Sequence, residues 1–93
     1  MPDELRHAIC VQVIGLLREE RERRGLSKYV IAKRSGLSQP MIGYVERGLR
    51  NPTLETVLRM ADALDLDFAE LVKRAQASAS TKKPKSLPSR ATC

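Results

Sequence analysis

Residues 26–46 read LSKYVIAKRSGLSQPMIGYVE, and the punctuation of this stretch decides the fold. Ser27 is placed to cap a helix over about Lys28–Ser35 through its hydroxyl, with Ile31 and Ala32 on the inner face. Gly36 marks the break, because a left-handed turn residue is easiest for glycine. Leu37 fills the turn and Ser38 caps a second helix over about Gln39–Glu46. Pro40 falls in that helix's first turn, where its missing N–H costs nothing. Ile42 and Val45 then point inward.

Outward from this pair, the apolar spacing predicts three more helices. Before it, Ile9, Val13, Leu16 and Leu17 follow the i, i+4, i+7, i+8 spacing of a buried stripe. They place a helix from Asp3 or Leu5 to Arg24, stopped at Gly25. After it, Gly48 ends the second helix, and Leu49–Pro52 is read as a loop, since Pro52 disfavours helix at Asn51. Thr53 caps a fourth helix, with Leu54, Val57, Leu58, Ala61 and Leu64 read as its inner face. Asp67 caps a fifth, with Glu70 in capping-box position and Phe68, Leu71 and Val72 apolar. The pattern ends near Ala75. The expectation is therefore an all-α, five-helix bundle over residues 5–75. Residues 76–93, QASASTKKPKSLPSRATC, are read as a disordered basic tail.

Ninety-three residues with a hydrophobic fraction of 42% suit one core. Tyr29, Tyr44 and Phe68 are the only aromatics, too few for a platform that stacks single-stranded bases. Cys10, Cys93 and His7 lack metal-ligand spacing and make no disulfide framework. No metal or other cofactor is expected. The opening MPDELRHAIC lacks the features of a signal peptide. The apolar stretch Ile9–Leu17 is too short to span a membrane and is broken by Gln12. The expected setting is cytoplasmic.

The formal net charge is +6, which favours a polyanionic partner. The charge is unevenly placed. Arg23, Arg24, Lys28, Lys33, Arg34, Arg47 and Arg50 stand against Glu46 alone, a net +6 between Arg23 and Arg50. From Thr53 to Leu71, Arg59 stands against Glu55, Asp62, Asp65, Asp67 and Glu70, a net −4. The basic half coincides with the two capped helices. A helix, a glycine-containing turn and a second helix opening on a polar cap form the layout that reads double-stranded DNA.

RERRGLS at 21–27, and AKRSGLSQPMIGYVERGLRNPTLETVLRMADALDLDFAEL at 32–71, carry a family likeness. Over about Val13–Val72 the chain resembles the lambda-repressor-like, or Xre-type, helix-turn-helix family. The resemblance implies a bundle that binds operator DNA as a symmetric homodimer. It implies that Gln39, Pro40 and Tyr44 face base edges, and that Lys28, Arg47, Arg50 and Asn51 contact the backbone. It implies a buried ion pair between Arg21 and Glu46. Gln39 suits a bidentate contact to adenine. Pro40 cannot hydrogen-bond a base, so readout there is by shape or a methyl contact. Tyr44 is open to a thymine methyl, a phosphate, or packing on Met41 or the Lys28 stem. Gly43, inside a helix, should cost about 0.5–1 kcal/mol relative to Ala. It either admits DNA closely or merely fits a tolerant surface. Lys82, Lys83, Lys85 and Arg90 either add phosphate attraction or only solubilise the tail.

Helix one carries more apolar surface than one stripe needs. Cys10, Ile14 and, on helix five, Val72 are the candidate dimer surface; the alternative is intrachain packing of helix one on helix five. The leading function is a sequence-specific, double-stranded-DNA-binding transcriptional regulator, a repressor or autoregulator on a palindrome. The alternative is a protein-interaction module, such as an antitoxin or restriction–modification controller, in which DNA binding is secondary. An enzyme is poorly supported: His7 lies far in sequence from any nucleophile, and the chain lacks a Gly-rich phosphate loop. No small-molecule substrate and no membrane partner are expected.

Overall fold

A computed structural model describes residues 2–82, with side chains to Ala79. Five helices follow in order: α1 Asp3–Arg23, α2 Lys28–Ser35, α3 Gln39–Glu46, α4 Leu54–Ala63 and α5 Phe68–Lys82. The described residues contain no strand. The starts are set by single side chains. Ser27 Oγ accepts from the Val30 amide at 3.1 Å, Ser38 Oγ from Met41 at 3.2 Å, and Thr53 Oγ1 from Thr56 at 3.1 Å. Asp67 Oδ1 accepts from the Ala69 and Glu70 amides at 2.9 and 3.4 Å. Each satisfies an amide that the helix itself leaves open.

Three helix ends share one device. The amides of Leu26, Leu49 and Leu66 reach back to the carbonyls of Arg21, Tyr44 and Ala61 at 3.0, 2.8 and 2.8 Å. The residue before each leucine is left-handed: Gly25, Gly48 and, unusually, Asp65 at φ 58°. This is the Schellman ending, with a leucine turned back toward its own helix. A short polar Asp is among the few side chains that tolerate the conformation.

Leu17, Ile31, Ile42, Val45, Met60, Leu64 and Leu71 are fully buried and form the centre of the core. The expected inner face of α4 needs correction. Val57, Met60, Ala61 and Leu64 line the core, whereas Leu54 and Leu58 are 62% and 42% exposed. Each residue advances the helix by about 100°. The 57–60–61–64 stripe faces inward, which turns Leu58 onto the flank and leaves Leu54 outside at the first turn.

The limit at residue 75 also needs correction. Helix α5 runs on to Lys82, with Ala75 and Ala79 buried one turn apart. Ser78 Oγ donates to Gln12 Oε1 at 3.2 Å. Small side chains at 75 and 79 let α5 lie close along α1, the largest helix–helix interface of the bundle. The rest of the predicted tail, Lys83, Lys85, Arg90 and Cys93 included, lies outside the described residues.

Candidate nucleic-acid interface

The turn between α2 and α3 sets the outward angle of α3. Gly36 is left-handed at φ 79°, and a Cβ there would come within 3.1 Å of Arg59 Nη1. That nitrogen donates to the Ser35 carbonyl at 3.0 Å, closing the end of α2 from α4. The far end of α3 is held by Arg21. Its Nε donates to Glu46 Oε2 at 2.7 Å, its Nη2 to Glu46 Oε1 at 2.9 Å, and its Nη1 to the Leu26 carbonyl at 2.8 Å. One buried guanidinium thus joins α1, the turn into α2 and the end of α3. The hydrogen bond to Glu46 holds its pKa above the ordinary arginine value, against the opposing effect of burial.

With Ile42 and Val45 anchored in the core, α3 presents its other face to solvent. Lys28, Gln39, Pro40, Gly43, Tyr44 and Arg47 line one shallow depression of about 390 Å³. Five of these are residues singled out from sequence for base or backbone contact. Arg50 joins the group through Tyr44. The Tyr44 ring lies under both the Arg47 and Arg50 guanidinium groups, at 5.8 and 5.5 Å from its centroid. Such contacts favour a cation over an aromatic face. Asn51 is exposed in the following loop and does not line the depression.

The positive charge is divided more finely than the sequence count implies. Arg24 Nη1 donates to the Leu64 carbonyl at 2.6 Å, and Arg34 Nη1 to the Ala63 carbonyl at 3.4 Å. Both guanidinium groups therefore close the C-terminal end of α4. Arg23 pairs with Glu20. Of the seven cations between Arg23 and Arg50, Arg24 and Arg34 are tied to the end of α4, and Arg23, 71% exposed, is paired on the surface of its own helix. Lys28, Arg47 and Arg50 gather at the depression, and Lys33 lies 5.6 Å from the centroid of the Tyr29 ring. The partners of Arg24 and Arg34 were missed because the carbonyls they meet are distant in sequence.

The candidate dimer residues fare differently. Ile14 is half-buried against the core, Val72 is half-buried, and Cys10 is exposed. Helix α5 of the same chain packs along α1, yet Cys10 and Val11 stay exposed. Among the described residues, no group of His, Cys, Asp and Glu is arranged to hold a metal ion, and no helix is long and apolar enough to cross a membrane.

A helix-turn-helix family model matches residues 17–71, from the middle of α1 into α5. The chain belongs to the lambda-repressor-like family of DNA-binding helix-turn-helix regulators. Similar family members include the uncharacterized HTH-type transcriptional regulator y4dJ of Sinorhizobium fredii, 42% identical over 56% of this chain and 68% of that protein. The HTH-type transcriptional regulator SutR of Escherichia coli is 31% identical over 67% of this chain and 35% of its own length. An uncharacterized HTH-type regulator of Mycobacterium tuberculosis is 39% identical over 66% of this chain and 44% of its own length. The chain thus spans less than half of the latter two relatives. Among solved structures, the restriction–modification controller protein C.AhdI of Aeromonas hydrophila superposes with a TM-score of 0.61 at 44% identity. That match covers 67% of this chain and 94% of the controller.

Proposed function

We propose that this protein is a cytoplasmic, sequence-specific regulator that binds a palindromic operator in double-stranded DNA as a homodimer, without catalysis or cofactor. The observation that carries the reading is the depression on α3. It gathers Lys28, Gln39, Pro40, Tyr44 and Arg47 on one exposed face, beside Arg50. In this reading Gln39 reads adenine, Pro40 and Tyr44 make shape and methyl contacts, and Lys28, Arg47, Arg50 and Asn51 hold phosphates.

The dimer contact is assigned to Leu54 and Leu58 rather than to Cys10, Ile14 and Val72. The two leucines lie one turn apart on α4 and are left uncovered by their own chain. A two-fold axis there would set two α3 helices about 34–36 Å apart on one face of the duplex.

A narrower role is favoured by the match to nearly the whole of C.AhdI: control of restriction–modification genes. Selection from a random duplex library, followed by footprinting on the selected site, tests the proposal. The expected footprint is two symmetric half-sites about one turn apart. A single asymmetric half-site would sink the dimer, and failure to enrich any sequence would sink the regulator.

A further inference from the structure

Three of the five glycines occupy left-handed turns, where glycine has a conformational reason to be. Gly43 has none. It sits within α3, its φ is not in the left-handed region, and a Cβ built on it would meet only Arg47 Nη2, at 4.0 Å. The fold would accept a side chain here, and helix propensity favours one. Gly15, in α1, shares this freedom, but it is exposed and has open space around it. Gly43 is buried although it lies on the outward face of α3, because its neighbours stand around it. Pro40 and Tyr44, one turn before it and immediately after it, line the same depression with a pyrrolidine and a phenol. Gln39, Lys28 and Arg47 supply the polar margin.

We infer that Gly43 is a specificity-determining residue, and that the recess it floors receives the 5-methyl group of a thymine. This inference rests on the DNA-binding reading and deepens it. In the major groove, the thymine methyl is the apolar projection of the base edges. A recess with a bare Cα floor, shared with Pro40 and Tyr44 and bordered by the Arg47 guanidinium, has room and apolar surface for that group. The adjacent Gln39 amide is suited to adenine, so recess and amide together read A·T-rich sequence. A Cβ at position 43 would occupy the place of the methyl without disturbing the free protein.

The experiment uses the full chain and the duplex it selects from a random library. Each thymine of one half-site is replaced in turn by deoxyuridine, which removes only the methyl. One position should lose about fourfold in affinity, the effect of leaving one methyl-sized group unburied. Gly43→Ala should bind thymine and uracil duplexes equally at that position, with a thermal midpoint at or above the parent's. Overturning results are a selected site with no sensitive thymine, or a Gly43→Ala variant that still prefers thymine there. A lowered midpoint in Gly43→Ala would give the glycine a structural reason and likewise overturn the inference. The uracil scan needs no variant, so a folding failure cannot shield the claim. A parent that enriches no duplex would overturn the underlying DNA-binding reading and the recess with it.

Discussion

Arg21 grips Glu46 with two parallel hydrogen bonds, one to each carboxylate oxygen, across 25 residues of sequence. The Glu46 side chain is 3% exposed and that of Arg21 11%. Such a pair is weak evidence of net stabilisation, because desolvating both ions offsets their attraction. Its directional value is clearer: it fixes the end of α3 against α1.

Removing one partner has a different energetic effect from removing both. Glu46→Ala should destabilise by about 3–5 kcal/mol, because the Arg21 charge would stay buried without its partner. A denaturant midpoint close to the parent's would contradict this. On the arginine side the linkage is simple. A raised folded pKa means stability that is fully present below the unfolded arginine value and lost only as pH rises through the folded one. Arg21 itself should therefore add no pH dependence anywhere near neutrality.

Tyr44 should matter through its ring. Tyr44→Phe keeps an aromatic face beneath Arg47 and Arg50, whereas Tyr44→Ala removes it. The alanine variant should weaken binding to all duplexes, and the phenylalanine variant should stay near the parent. Equal losses in both would assign the role to the hydroxyl. Fluorescence anisotropy on selected and random duplexes separates these outcomes.

Salt dependence should separate cations of the interface from those of the bundle. Arg47→Ala and Arg50→Ala should each reduce the log-affinity against log-salt slope by about 0.9. Arg34→Ala should leave that slope unchanged and lower thermal stability, because Arg34 donates to the end of α4. A slope equally reduced in all three would mean that Arg34 also faces phosphate.

Base reading should rest on Gln39. Gln39→Ala should lose about 1–3 kcal/mol on the selected duplex and much less on random sequence. Competition binding with both duplexes gives the comparison, and equal losses would make Gln39 a backbone contact.

Assembly should depend on α4. The double variant Leu54→Asp, Leu58→Asp should sediment as a folded monomer, while the parent dimerises at micromolar concentration. Cys10→Asp should leave the dimer intact. A dimer lost in the Cys10 variant and kept in the leucine variant would return the contact to α1.

Local chemistry made much of this molecule legible. Ser27, Ser38, Thr53 and Asp67 each cap through one side chain and a nearby amide, so the starts of α2 to α5 can be read without tertiary information. Gln39, Pro40, Tyr44 and Arg47, singled out through the family resemblance, line one depression because α3 starts where its cap places it. Three features were not legible. Leu54 and Leu58 match an inward stripe by type, but the neighbours of α4 choose which stripe is covered. The run after Ala75 lacks amphipathic contrast in sequence, although the small Ser78 and buried Ala79 meet α1 or the core there. Arg24, Arg34 and Arg59 looked like surface charge because their carbonyl partners lie 40, 29 and 24 residues away.

The seam between α1 and α5 bears on the order in which the chain is made. Of the five helices, α1 is made before the others and finds its main partner in α5, so it leaves the ribosome with an uncovered apolar stripe. That stripe waits while α2, α3 and α4 emerge, and its main cover comes only with α5. Folding of the five helices is thereby pushed toward a single late event rather than a progressive one. A chain stopped short of Ala75 would keep Leu71 for the core but lose the buried alanines that seat α5 along α1.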